Sequence, residues 1–265
     1  VVIVGAGVAG LEAARVLAER GFKPVILEKS DVIGGQLTFA DKLPKKEKID
    51  WIVEWEAVQL NKLGVEIHGE TAASVAKIKE FNPYAVIIAT GAEPVLPASI
   101  KGLDLPHALT VNDILSGDVT VKNKKVLMIG SGATGLETSE LLCEEGNDVT
   151  IVELLDAIGQ GVYVQHYLDA MDQLNPFKDA GKVHELPSHQ LVEVTSKGAL
   201  LKDLTTGELK EYDADFVVLS LGVKSVNGLA VEAKEVFDKL YVVGDALKPG
   251  RIESCIRSAF ETTYN

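Results

Sequence analysis

The sequence contains one long internal repeat, and this repeat limits the folds that are open to the chain. A shift of 125 residues aligns residues 1–34 with residues 126–159 without a gap, and 14 of the 34 aligned positions are identical. A unit that recurs only twice at this distance does not build a solenoid. The sequence therefore predicts two copies of one supersecondary unit.

Each copy has the pattern of a strand, a tight turn, a helix and a second strand. In the first copy an apolar run at 1–4 is followed by helical spacing of apolar residues at 10–20 and by a second strand at 23–28. The corresponding segments of the second copy are 126–129, 135–145 and 148–153. Short apolar strands that alternate with helices are typical of a parallel sheet covered on both faces.

The turns between the first strand and the helix both match the pattern G-x-G-x-x-G, at 5–10 and at 130–135. The first glycine permits the tight turn, the second lets the main chain approach a pyrophosphate, and the third allows the helix to pack closely on the strand. Phosphate groups then meet free N–H groups at the helix N-terminus. A purely structural glycine turn is the alternative, and the repeated strand and helix context favours two dinucleotide sites.

An acidic residue follows the last glycine of each motif by 18 residues, at Glu28 and Glu153. A carboxylate at this place accepts hydrogen bonds from both ribose hydroxyls and repels the 2′-phosphate of NADPH. The sequence after Glu153 is L-L-D and offers no basic side chain. We therefore expect the second copy to bind NADH in preference to NADPH.

Three further apolar strands are predicted downstream, at 86–91, 216–222 and 240–243. The first two each close one unit, and the third has no glycine loop of its own and most simply completes the first unit. The sequence thus predicts an α/β fold with two Rossmann-like dinucleotide-binding domains, the second inserted into the first. The expected domains are 1–107 with 229–265, and 108–228.

Composition and charge exclude several classes of partner. The chain has 26 basic and 39 acidic residues, a net charge of −13, so we expect no nucleic-acid partner. Its longest apolar runs fall short of the roughly 20 residues that span a bilayer, so we expect no membrane segment. Two cysteines 112 residues apart exclude a CxxC pair and a four-cysteine cluster within the chain, and a reducing cytoplasmic location is the default expectation. The apolar start without Met suggests that the chain is a piece of something longer.

With these motifs the chain resembles the two-dinucleotide-binding-domain flavoproteins, a group that includes the disulfide reductases, over nearly its whole length. The resemblance implies that the first motif binds the ADP part of FAD and that the second binds NAD(P)H. It also implies that the G-D pair at 244–245 bonds to the ribityl chain of the flavin and that a helix from about Arg251 points its N-terminus at the flavin. An ordinary turn at a strand end is the alternative for this pair.

Two stretches narrow the resemblance. The segments I-G-G-Q-L at 33–37 and G-D-A at 244–246, with the residues that follow them, are similar to the C-terminal halves of the 2,4-dienoyl-CoA reductase, enoate reductase and trimethylamine dehydrogenase family. In complete members those halves follow a barrel that carries FMN and an iron–sulfur cluster. This sequence lacks the barrel, so the resemblance implies a barrel domain or another electron acceptor as its partner.

The expected site residues fall into two sets. The FAD set comprises Gly5, Gly7, Gly10, Glu28, Lys29, Gln36, Ala72, Thr90, Gly91, Gly244 and Asp245. The NADH set comprises Gly130, Gly132, Ala133, Thr134, Gly135, Glu153 and Gly222. No catalytic side chain and no metal site are expected, because the two cofactors carry out hydride transfer and the protein orients them.

Three functions remain open at this point. The leading hypothesis is a module that transfers hydride from NADH to FAD and passes the electrons on. A second is a scaffold with ADP in the first site and no turnover of its own, since trimethylamine dehydrogenase uses its equivalent site for ADP. Gln36 and Asp245 favour FAD, because both are expected to face the flavin end, which ADP lacks. A third is a free-standing NADH oxidase or ferredoxin reductase.

Two further residue types are interpreted as structural. Trp51 and Trp55 lie four residues apart on a predicted helix, which predicts a packed apolar face. Cys143 falls on the inner side of the second unit's helix, which predicts a small core residue.

Overall fold

A computed structural model describes residues 1–265. The chain contains fifteen strands, numbered here in chain order. They are β1 Val2–Val4, β2 Val25–Leu27, β3 Glu66–His68, β4 Val86–Ile88, β5 Ala92–Pro94, β6 Ala108–Thr110, β7 Lys125–Ile129, β8 Asp148–Val152, β9 Val183–Leu186, β10 His189–Thr195, β11 Gly198–Asp203, β12 Leu209–Asp213, β13 Phe216–Leu219, β14 Val223–Ser225 and β15 Leu240–Val242.

Nine α-helices alternate with these strands, and a single 3-10 turn spans Gly244–Ala246. The helices are α1 Val8–Glu19, α2 Leu37–Ala40, α3 Asp50–Lys62, α4 Val75–Glu80, α5 Val111–Leu115, α6 Ala133–Glu144, α7 Val164–Asp179, α8 Gly228–Lys234 and α9 Ile252–Tyr264. None of them combines the length and the apolar character that crossing a bilayer requires.

The chain divides into two compact units. The first comprises Val1–Asp41, Lys46–Glu93 and Val223–Asn265, and the second comprises Lys42–Lys45 and Pro94–Gly222. Each unit has its own five-stranded sheet, and in both sheets every paired strand is parallel to its neighbour. The predicted α/β class with two dinucleotide-binding folds is confirmed, and the second sheet lies within the sequence of the first.

The sheet of the first unit has the order β15-β4-β1-β2-β3. Alternate residues of a strand point to opposite faces. Ile3 accordingly packs with α1, α3 and α9, whereas Val2 and Val4 pack with Ile78 of α4 and Ala230 of α8. As predicted, the late strand β15 completes this sheet, because it pairs with β4 rather than with any strand of the second unit.

The sheet of the second unit has the order β6-β13-β7-β8-β9. One face packs against α5, α6 and α7 and includes the fully buried Met128 and the buried Cys143, so the core position predicted for Cys143 is confirmed. The opposite face, with Leu127, is covered by the antiparallel sheet β10-β11-β12, whose Leu201 is fully buried.

The limits of these units differ from the expected ones. Residues 94–107 group with the second unit, where the amide N–H of Val194 donates to Lys101 O at 2.9 Å. Residues 223–228 group with the first unit, where the amide N–H of Val226 donates to Gly91 O at 2.9 Å. Both bonds join residues that are far apart in the chain, so no local sequence pattern predicts them.

The packed apolar face predicted from Trp51 and Trp55 is wrong. The two side chains are 60% and 52% exposed. The guanidinium of Arg15 lies 5.5 Å from the ring centroid of Trp55, and the ammonium of Lys48 lies 5.7 Å from that of Trp51. Cationic side chains therefore flank these rings, and the buried positions of α3 are Glu56 and Leu60.

Candidate functional site

The first glycine loop leaves β1 and enters α1, and two of its glycines are required by contacts within the protein. Gly5 has φ +103°, and a Cβ there would lie 2.4 Å from Ala89 O. A Cβ at Gly10 would lie 1.9 Å from Gly5 O. Because any side chain at these positions would collide with main-chain oxygen, the turn and the close helix packing both require glycine.

Gly7 is different, because nothing in the protein requires a glycine there. Its φ of −72° is open to any residue, and a Cβ added at this position would have Gly35 Cα, at 4.0 Å, as its nearest neighbour. Gly7 is also the N-cap residue of α1, and no side chain caps this helix end. The open space at Gly7 and the uncapped N–H groups of the helix together suit an anion that approaches from outside.

The second loop repeats this geometry between β7 and α6. Gly130 also has φ +103°, and a Cβ there would lie 2.4 Å from Ser220 O. A Cβ at Gly135 would lie 2.3 Å from Gly130 O, whereas a Cβ at Gly132 would meet nothing within 4 Å. Ala133 and Thr134 form the first turn of α6. In both loops, therefore, the first and third glycines are required by contacts within the protein, and the second glycine faces open space.

The repeated spacing to an acidic residue becomes a direct contact with the loop in both units. Glu28 is buried, and its Oε2 accepts the amide N–H of Ala6 at 2.6 Å. In the second unit, Glu153 Oε2 accepts the amide N–H of Ser131 at 2.9 Å. Each carboxylate thus closes the glycine loop onto the end of the second strand.

Serine hydroxyls occupy further acceptor positions on the two carboxylates. Glu28 Oε1 accepts both the amide and the hydroxyl of Ser30, at 2.9 and 2.8 Å. Glu153 Oε2 accepts the Ser131 hydroxyl at 2.5 Å in addition to its amide, and Glu153 Oε1 accepts only the amide of Leu155 at 2.9 Å.

A carboxylate oxygen has two lone pairs, so these bonds limit what each acid can still bind. The remaining position is on Oε2 of Glu28 and on Oε1 of Glu153. The bonds within the protein therefore leave room for one more donor on each acid. The acceptance of both ribose hydroxyls by the carboxylate stays a prediction. Sequence reasoning missed Ser30 and Ser131, although both lie within two residues of a residue that it named.

The late G-D turn lies against the first glycine loop. A Cβ at Gly244 would lie 2.6 Å from the Cβ of Ala9, in the first turn of α1. Asp245 Oδ1 accepts the amide of Gly250 at 2.8 Å, and the Asp245 carbonyl accepts the hydroxyl of Ser225 at 2.6 Å. Because β15, β4 and β1 are adjacent and parallel, their carboxyl ends meet at one edge of the sheet.

The remaining residues of the FAD set are distributed around this edge. Thr90 and Gly91 follow β4, and the Thr90 hydroxyl donates to Val226 O. Gln36 is exposed, and its Nε2 donates to Ala92 O at 2.9 Å. Lys29 and Ala72 are exposed; Ala72 follows Thr71, whose amide donates to Glu28 O at 2.7 Å. Gly222 of the NADH set follows β13 at the corresponding edge of the second sheet.

The residues present fit a diphosphate in each unit. Each loop offers an uncapped helix N-terminus, a glycine at which a Cβ would fill open space, and an acidic side chain with one free acceptor position. No group of three or more His, Cys, Asp or Glu side chains is placed to hold a metal ion. The main-chain N–H groups of each helix N-terminus suit a phosphate ligand.

Fold and loops define a class: an α/β protein with two dinucleotide-binding units. A sequence model of the family described as "Pyridine nucleotide-disulphide oxidoreductase" matches residues 1–245. The chain belongs to this family, and it is an oxidoreductase module. Membership implies the use of FAD and of a pyridine nucleotide.

Comparisons with individual proteins support the resemblance stated from the sequence. The chain is 33% identical to a protein named NADH oxidase from Thermoanaerobacter brockii and 35% identical to a protein named cinnamate reductase from Clostridium sporogenes, in both cases over 100% of its own length. It also superimposes on a solved 2-naphthoyl-CoA reductase with a TM-score of 0.90 at 28% identity, covering 99% of this chain and 39% of that one.

These relatives are much longer than the chain. It spans 40% of the NADH oxidase and 39% of the cinnamate reductase. The resemblance to the enoate reductase group is confirmed, and it concerns a module that corresponds to part of a larger enzyme.

Proposed function

We propose that the first unit binds FAD through the FAD set, that the second binds NADH through the NADH set, and that the chain serves to transfer hydride from NADH to FAD. The observation that carries this proposal is the duplicated cradle, in which a glycine loop, a helix N-terminus and an acid bonded to the loop amide recur in both units. One dinucleotide per cradle is the simplest occupancy.

The bound cofactors would supply the redox chemistry, because a reduced nicotinamide donates hydride and an oxidised flavin accepts it. The chain's own residues would bind and orient. Main-chain N–H groups at Gly7 and Gly132 would hold the diphosphates, and Glu28 and Glu153 would each accept one ribose hydroxyl. We propose that electrons then pass to a further part of the protein, such as a barrel with FMN and an iron–sulfur cluster, or to another acceptor.

A second candidate function is a scaffold that holds ADP in the first unit. The position of Asp245 argues against it, since the G-D turn packs on α1 at the same sheet edge as the glycine loop and keeps Oδ2 without a donor from the protein. ADP offers no ribityl chain for this oxygen to bind.

The spectrum of the purified chain decides between the two functions. We expect a yellow protein that releases FAD on denaturation and whose flavin absorption is bleached anaerobically by NADH and only slowly by NADPH. A colourless chain that binds ADP and does not bind added FAD would refute the hydride-transfer proposal.

We predict that Glu153→Gln reduces the preference for NADH over NADPH by about tenfold, because the amide no longer repels a 2′-phosphate. Calorimetric titration of each nucleotide measures this ratio without reliance on flavin reduction. Glu28→Gln, the same change at the matching position of the first unit, is the control and should leave the ratio unchanged. Equal ratios in wild type and Glu153→Gln would remove Glu153 from the discrimination.

A further inference from the structure

A cysteine lies directly beside the G-D turn of the first unit. Cys255 is in the first turn of α9 and is 7% exposed. Its Sγ lies 3.1 Å from Asp245 Oδ1, within range of a hydrogen bond from a thiol. A Cβ at Gly244 would lie 3.8 Å from both Cβ and Sγ of Cys255, so the side chain fills the space behind the turn.

Asp245 is fixed through one side of its carboxylate. Oδ1 accepts two bonds, from the amide of Gly250 at 2.8 Å and from the Cys255 thiol, while Oδ2 accepts none within the protein. The main chain of Asp245 is held separately by the Ser225 hydroxyl. Removal of one of the two Oδ1 bonds would therefore loosen the direction of Oδ2 and leave the turn in place.

The thiol is suited to donate and unsuited to react. Burial, together with the neighbouring Asp245 carboxylate, raises the pKa of Cys255 to about 12. The group is consequently protonated at neutral pH and poor as a nucleophile. Its hydrogen bond to a carboxylate is the interaction that it can contribute here.

We propose that Cys255 is a positioning residue for the cofactor site: its thiol holds Asp245 Oδ1 so that Oδ2 is presented to the flavin end of a dinucleotide bound in the first unit. This inference rests on the proposed binding of FAD. It assigns to Cys255 a role that is separate from the diphosphate cradle, which lies at Gly5–Gly10.

The test compares the affinities of the chain for FAD and for ADP, both measured by calorimetry on protein freed of nucleotide. ADP lacks the flavin end, so only FAD affinity should depend on the direction of Oδ2. We expect Cys255→Ala to weaken FAD binding by about three- to tenfold and to leave ADP binding unchanged. Cys255→Ser restores a donor and should recover most of the FAD affinity.

Cys143→Ala is the matched control, because it truncates a buried cysteine in the core of the second unit. It should bind FAD like wild type. A double-mutant cycle with Asp245→Ala adds a readout specific to the pair, since Cys255→Ala should cost nothing further once the carboxylate is absent.

Failure of the positioning role of Cys255 can be distinguished from failure of the proposed function. Equal losses of FAD and ADP affinity in Cys255→Ala would show a structural effect and overturn the positioning role, as would wild-type FAD affinity in that variant. A wild-type chain that binds ADP and does not bind FAD would overturn the proposed function and the positioning role with it.

Discussion

Gly10→Ala is expected to lower the free energy of unfolding of the chain by about 3 kcal/mol, whereas Gly7→Ala is expected to change it by less than about 0.5 kcal/mol. The added methyl at Gly10 would lie 1.9 Å from a main-chain oxygen, so α1 must move away from the loop. At Gly7 the methyl has room, and the backbone conformation is already accessible to alanine.

Gly7→Ala should instead affect the binding of the ligand. Because a methyl at Gly7 would fill the space that a diphosphate needs, Gly7→Ala should fold normally and bind FAD at least about tenfold more weakly. Chemical denaturation gives the free energies, and calorimetry gives the affinity. Equal destabilisation by both substitutions would contradict the assignment of Gly10 to helix packing and of Gly7 to contact with the ligand.

Glu56→Gln is expected to remove a large part of the pH dependence of stability between pH 5 and pH 9. Glu56 is 2% exposed, and the nearest cation, Arg15, has its Nε 3.9 Å from Glu56 Oε2 while it bonds to Glu12 at 2.8 and 2.9 Å. Burial and the charge of Glu12 raise the pKa of Glu56 from 4.5 to about 8.

The sign follows from the raised pKa. Between pH 4.5 and pH 8 the folded chain keeps a proton on Glu56 that the unfolded chain has lost, so the free energy of unfolding falls as pH rises through this window. In Glu56→Gln the side chain stays neutral at every pH. At pH 9 we therefore expect this variant to be more stable than wild type by about 2 kcal/mol, and at pH 5 to be close to it.

Denaturation at several pH values measures this effect. Glu54→Gln, an exposed change on the same helix, should keep the wild-type slope. Parallel curves for wild type and Glu56→Gln would mean that Glu56 ionises normally in the folded chain and that Arg15 compensates for its burial.

Local features of the sequence predicted much of the fold. The repeat, the spacing of apolar residues and the two glycine loops predicted four strands of the first sheet, including β15, three strands of the second sheet and the helices that follow the loops. They did not predict the edge strands β3, β6 and β9 or the antiparallel sheet β10-β11-β12. Each of these features depends on residues that are close in sequence or on a backbone conformation that only glycine adopts readily.

Contacts between residues that are distant in the chain could not be predicted from the sequence. The unit limits near 93 and 222, the bond from Ser131 to Glu153 and the exposure of the α3 tryptophans all follow from packing of separate elements. A sequence pattern identifies the apolar side chains, but it does not identify the residues that contact them in the folded chain.

The sequence by itself determined that this protein has two dinucleotide cradles in one chain, because glycine spacing and strand periodicity act over a few residues. Only the tertiary structure decided what surrounds them. Cys255 reaches Asp245, and Glu56 lies beside Glu12 and Arg15 without a hydrogen bond to Arg15, because separate helices and turns are folded against one another. The energies of such contacts depend on burial and distance, which the chain acquires only when it folds.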